Sequence, residues 1–206
     1  MAAKKSVSKR ASTAKSTSKS APRGSSAARK TSSSASKNEA IAQLTADHAR
    51  VKKIFKQYER LAEADAPDKQ KQELATMICA ELTVHATAEE EIFYPAAREA
   101  IEKVELIDEA DIEHASAKDL IAQIEGSSPS DDHYDAKVKV LGEYIDHHVQ
   151  EEENEMFPKV RRAKVDTVAL GEQIAARKEE LKQQKPAVKS GSRSRVEHRT
   201  DELETA

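Results

Sequence analysis

The chain is poor in the residues that most folds other than helical bundles require. It has no tryptophan and only three Phe and four Tyr among 206 residues. That is too few aromatics for a β-sandwich or barrel, whose strands favour aromatic and β-branched side chains. Five Gly and six Pro leave little material for the many turns of an all-β chain. A single cysteine, Cys79, excludes an intramolecular disulfide and gives no sign of an oxidising compartment. No apolar run approaches the ~20 residues of a membrane span. No apolar N-terminal stretch of signal-peptide length is present. A soluble protein of the bacterial cytoplasm, acting as a monomer, is expected. The remaining composition, rich in Ala, Glu, Lys and Leu, belongs to long helices.

Charge of one sign is also missing from one end. Residues 1–38 hold ten Lys/Arg, twelve Ser and no Asp or Glu, with Val7 as their only branched aliphatic residue. Such a segment buries too little apolar surface to offset its chain entropy, so a disordered basic tail is expected. It could contact nucleic acid weakly by neutralising phosphates. Residues 186–206 read as a second disordered tail, with four basic and four acidic residues. The body between the tails carries 20 basic and 33 acidic residues, so nucleic-acid binding through the body is not expected.

Periodicity within the body predicts helices. The first runs from Glu39 to Ala62 with Asn38 as its cap. The second starts near Pro67 and runs to Tyr94, where Pro95 ends or kinks it. The third spans Val104 to Glu125 and stops at Gly126-Ser127-Ser128-Pro129. The fourth runs from near Asp131 to Phe157 and is stopped by Pro158. A shorter helix, Thr167 to Gln184, follows with Asp166 as its cap. Connections this short imply antiparallel neighbours. The expected fold is all-α: an up-down-up-down four-helix bundle over 39–162, a C-terminal helix over 163–185, and the two tails.

Four histidines interrupt the apolar stripes of that bundle. They are His48 after Ile41 and Leu44, His85 after Ile78 and Leu82, His114 after Ile107 and Ala110, and His148 after Leu141 and Ile145. Two stripes add a glutamate one turn later, Glu89 and Glu152. A buried unpaired carboxylate costs several kcal/mol unless it is protonated, paired or metal-bound. The six residues together point to a metal site. Without metal, one of the two glutamates is expected to take a proton.

The chain also repeats. His85-x3-Glu89-Glu90, closed by Phe93-Tyr94-Pro95, matches His148-x3-Glu152-Glu153, closed by Met156-Phe157-Pro158. Asp47-His48 and Glu113-His114 correspond on the preceding helices. Two copies of one hairpin face each other across a pseudo-twofold, as a dinuclear site needs. Imidazole and carboxylate without thiolate favour iron or manganese. His147 also has a glutamate four residues on, but the stripe and the proline register select His148. Glu90, Glu91, Glu151 and Glu153 are read as solvated or as acceptors for imidazole N–H groups. Asp47, Glu81, Asp111 and Tyr144 are candidates for the same task. Phe93, Met156 and Phe157 are read as core.

These motifs resemble the hemerythrin family, in particular its bacterial His-His-Glu cation-binding domains, over about residues 41–160. The resemblance implies two iron ions, oxo- or hydroxo-bridged, held by His48, His85, Glu89, His114, His148 and Glu152. It implies a ligand such as dioxygen, nitric oxide or peroxide. Oxygen-carrying members have one further histidine on the third helix. Here Ala110 and Lys118 flank His114 at one turn. That departure favours reaction, sensing or iron handling over simple oxygen carriage. Peroxide disproportionation and iron donation are the enzymatic alternatives, placed second because no proton donor besides the glutamates is evident.

Overall fold

The computed structural model describes residues 39–184. Both tails, and Asn38 with them, lie outside the described residues. The helices are α1 (Ala40–Glu63), α2 (Asp68–Ala88), α3 (Tyr94–Ala100), α4 (Glu105–Glu125), α5 (Tyr134–Glu151), α6 (Phe157–Arg162) and α7 (Thr167–Gln184). A π turn, Glu89–Phe93, joins α2 to α3, and a second, Glu152–Met156, joins α5 to α6. The long rods α1, α2–α3, α4 and α5–α6 form the expected four-helix bundle. The fifth rod, α7, packs on α1, α2 and the first π turn.

The cap of α1 lies one residue from where the sequence places it, and α5 begins at Tyr134, three residues past the expected Asp131. The cap of α1 is the Glu39 side chain, which accepts from the backbone N–H groups of Ile41 and Ala42 at 3.4 and 3.1 Å. His133 precedes α5 with φ 68°, in the left-handed region that few non-glycine residues adopt. Asp166 caps α7 as expected, accepting from the Ala169 N–H at 3.0 Å.

The prolines behave differently from the expectation. Neither Pro95 nor Pro158 ends its rod. A proline ring collides with the carbonyl four residues back and offers no N–H to it. Here the backbone widens ahead of each proline: Tyr94 N–H bonds to the Glu89 carbonyl, and Phe157 N–H to that of Glu152. Each five-residue step admits one extra residue and the helix resumes. The extra residue also advances the helical phase, so consecutive side chains face inward. Phe93 and Tyr94 are buried together, as are Met156 and Phe157. Glu155, which a uniform stripe would bury, is exposed instead.

The core has two apolar lobes. One includes Ile41, Leu44, Phe93, Tyr94, Ile107, Phe157 and Ile174. The other includes Val51, Phe55, Tyr58, Ile78, Leu82, Ile121, Val138 and Leu141, together with the buried thiol of Cys79. The histidines lie on the helices between these lobes. Gly142 lets α5 approach α1, because a Cβ there would stand 3.1 Å from the Phe55 ring.

The far lobe carries one polar tie. The buried Lys71 donates to Asp135 Oδ2 at 3.0 Å, and the Tyr58 hydroxyl donates to Oδ1 at 2.6 Å. This links α1, α2 and α5. Asp135→Ala leaves a buried ammonium without its acceptor and is expected to cost about 1–3 kcal/mol. Urea unfolding of the variant, beside Lys71→Met, checks this. The double variant should recover part of the loss, and an unchanged midpoint for Asp135→Ala would show that the tie adds nothing.

Candidate metal centre

All six ligating side chains expected from the sequence meet in one buried layer. His48 Nε2 lies 3.1 Å from His85 Nε2, and His114 Nε2 lies 3.1 Å from His148 Nε2. Two nitrogens about 2.1 Å from a common ion in adjacent positions stand about 3 Å apart, so each pair has the spacing of a half-site. The glutamates lie between the pairs. Glu89 Oε2 is 3.0 Å from His85 Nε2 and 3.6 Å from His114 Nε2. Glu152 Oε2 is 3.3 Å from His48 Nε2 and 3.6 Å from His148 Nε2. Each carboxylate therefore reaches one imidazole of either pair, the placement a bridging ligand needs.

These contacts do not satisfy the carboxylates. Both glutamates are fully buried, and Glu89 Oε1, Glu89 Oε2 and Glu152 Oε2 have no hydrogen-bond partner. Buried polar atoms are otherwise almost always paired. Orphaned carboxylate oxygens facing four imidazole nitrogens fit a cation between them, and the donors suit a metal of borderline or hard character.

The outer nitrogens are all held by acids. His48 Nδ1 is 2.9 Å from Glu153, and His114 Nδ1 is 2.9 Å from Glu90. His148 Nδ1 is 2.7 Å from Glu113, and His85 Nδ1 is 3.5 Å from Asp47. Such bonds fix the ring so that Nε2 points inward. Asp47, Glu90 and Glu153 thus do what the sequence allowed for them. Glu113 was not singled out, although its pairing with Asp47 in the repeat was the available signal. The other candidates work elsewhere: Glu81 and Asp111 bond Arg50 and Arg98, Glu91 pairs with Arg177, and Tyr144 is exposed. Glu151 faces the exposed His147 and not the inner layer.

Two residues break the pseudo-twofold. Tyr94 donates its hydroxyl to Glu152 Oε1 at 3.0 Å and stands 3.3 Å from His114 Nε2. Its repeat partner Phe157 lies parallel to the His48 ring at 5.9 Å between centroids. Burial, with the charges of Glu152 and Glu89, pushes the Tyr94 phenol well above its ordinary pKa. The hydroxyl is therefore a buried hydrogen-bond donor that the sequence did not single out, and its raised pKa makes it a poor acid. The second residue is Lys178, which reaches in from α7 to bond Asp47.

Residues 39–160 match the hemerythrin HHE cation binding domain. The chain belongs to that family. A crystal structure of a hemerythrin HHE cation binding domain-containing protein from Mycobacterium kansasii is similar, with TM-score 0.59 and 25% identity over 70% of this chain and 88% of that one. A protein named DNA nickase, from Nostoc sp. (strain PCC 7120 / SAG 25.82 / UTEX 2576), is 34% identical over 118 residues. The match takes in 56% of this chain but only 31% of that relative's length.

Burial and neighbouring charges pull the groups of the HHE layer in opposite directions. Burial pushes the Glu152 carboxyl up, but the charge of His148 and the nearby His48, 3.3 Å away, hold it at about 2. This direction runs against a proton on Glu152. Burial pulls His85 down, but the charge of Glu89 and the bond to Asp47 raise it to about 10. His148 is also raised, against burial, by Glu152 and Glu113, whereas burial lowers His114. The raised His85 stabilises the metal-free fold fully below its ordinary 6.5, a gain lost as pH climbs through about 10. The lowered Glu152 acts only at the acid end, where its gain disappears as pH falls from 4.5 through about 2. Metal requires deprotonated imidazole, so its affinity strengthens as pH rises. The difference in melting temperature between metal-loaded and stripped protein should widen from about pH 6 to about pH 9. Calorimetry at fixed ionic strength reads this, and a constant difference would remove His85 from the site.

Proposed function

We propose that the protein is a monomeric, cytoplasmic non-haem di-iron protein that binds, senses or scavenges a small molecule such as dioxygen, nitric oxide or peroxide. The observation that carries this reading is the pair of fully buried glutamates, each lying between two imidazole pairs with oxygens left unpartnered. His48 and His85 would hold one ion, His114 and His148 the other, and Glu89 and Glu152 would bridge them. Manganese suits the same donors. Bound iron would supply one-electron chemistry and an open coordination position.

The chain's own residues limit what reaches that position. A cavity of about 20 Å³ adjoins the four imidazoles, walled by Val51, Leu82, Ala117, Ile121 and Ile145. One water-sized probe needs about 10–15 Å³, so the space suits a ligand of two or three heavy atoms. A groove of about 600 Å³ between α1 and α5 shares His48, Ile145 and Val149 with the cavity. The apolar walls keep bulk water off the site. Tyr94 keeps its proton and donates it as a hydrogen bond to Glu152, which holds that carboxylate in place from the other hairpin. Peroxide consumption is the enzymatic variant of the same reading.

Substitution separates ligand from neighbour. His148→Ala should lose about half the bound iron, because it removes one of two imidazoles from a half-site. His147→Ala should retain its iron, since that ring is 66% exposed and points to Glu113 and Glu151. Circular dichroism checks the helices, which rest chiefly on packed apolar faces. Equal iron content in wild type and His148→Ala would refute the ligand assignment.

A second reading concerns DNA. The relative named DNA nickase and the acid-free basic segment 1–38 both favour it. In this reading the segment brings the protein to nucleic acid through phosphate neutralisation. A gel shift that weakens with salt and disappears on deleting residues 1–38 is the expected result. A shift that survives the deletion would place any DNA contact on the acidic body instead.

A further inference from the structure

The two halves of the bundle differ at one equivalent place. Aligning the repeats on their histidines sets Asp47 against Glu113, Val84 against His147 and Ala88 against Glu151. In the first half α7 lies over this place. Val84 and Ala88 are buried, and the Lys178 ammonium sits on Asp47. In the second half the place is open to solvent and is built from ligating groups. Glu113 Oε2 accepts from His148 Nδ1 at 2.7 Å, while its Oε1 is 3.7 Å from His147 Nε2. Glu151 Oε1 is 3.5 Å from the same nitrogen. One imidazole nitrogen and two carboxylate oxygens thus converge at the surface, within 4.8 Å of one another. Between this cluster and the inner layer lies a closed seam of α4 and α5, lined by Glu113, Glu151, His148, Glu152 and Met156, with no water-sized space in it.

We propose that Glu113, His147 and Glu151 form an outer site for a divalent first-row metal ion, which passes from there into the inner layer. The donors favour iron(II), manganese(II) or zinc(II). A cation is what the fold itself puts at the equivalent position of the first half, in the form of the Lys178 ammonium. Glu113 belongs to both places, with one oxygen toward the outer nitrogen and the other on His148. An ion held outside is therefore one carboxylate away from the half-site of His114 and His148. The acidic body adds attraction for cations at the mouth. Delivery rests on the inner layer being a metal centre, whereas occupancy of the outer site does not.

Two measurements test this. The first uses the metal-stripped full chain mixed with cobalt(II) in a stopped-flow instrument, with the visible cobalt bands reporting uptake. His147→Ala and Glu151→Ala should each load about tenfold more slowly, the low end of the gain from local enrichment of an ion. Both should reach the wild-type final cobalt content. An unchanged rate in both variants overturns delivery. A lower final content for His147→Ala overturns the outer assignment, since it would make His147 an inner ligand. The second measurement cripples the inner layer by combining His85→Ala with His114→Ala, and counts bound manganese(II) by electron paramagnetic resonance. About one ion per chain should remain, and should disappear when His147→Ala is added. No bound manganese in the crippled chain overturns the outer site. A wild-type chain whose inner layer takes no metal would contradict the proposed function, and the manganese count would still decide the outer site.

Discussion

The structure is organised around the burial of two carboxylates. Glu89 and Glu152 are fully buried, and they retain oxygens without partners. An isolated ionised carboxylate inside a protein is strongly destabilising. Four imidazoles surround the pair, and an acid holds the outer nitrogen of each imidazole. The charges of the layer raise the pKa of His85 and of His148 and lower that of Glu152. A bound cation would balance the carboxylates directly. Apolar lobes on either side of the layer keep the dielectric low, which strengthens every interaction inside it.

The π turns make that layer possible on continuous rods. Each begins at a glutamate and ends just before the aromatic-proline pair. The carbonyls of Glu89 and Glu152 accept the five-residue bonds while their side chains face the histidines. Proline, aromatic and ligand therefore form one local device used twice. The two uses are not equivalent. Tyr94 places a hydroxyl where Phe157 places a hydrocarbon ring, and α7 covers one half while leaving the other open. The functional asymmetry of the molecule lies in those differences between copies.

Much of this was legible in the sequence. The helices followed from composition and period. The six side chains that converge in the buried layer followed from histidines on apolar stripes and from the repeated His-x3-Glu. His148 was separable from His147 because its neighbours Leu141 and Ile145 fix the face. Other features were not legible, for physical reasons. A proline after an apolar stripe reads as a stop, because period alone does not reveal a widened turn. Glu113 and Lys178 act through contacts between helices, and no spacing within one helix reports those. Tyr94 read as one more aromatic before a proline, since its hydroxyl gains meaning only when Glu152 arrives from the other hairpin.

The central claim is that a dinuclear iron centre occupies the layer between the two lobes. Metal analysis and an optical spectrum of protein purified without added metal test it most directly. The account predicts roughly two iron ions per chain, one for each imidazole pair, with an iron-ligand charge-transfer band that changes on exposure to air or peroxide. Zinc alone, or no bound metal, would contradict it.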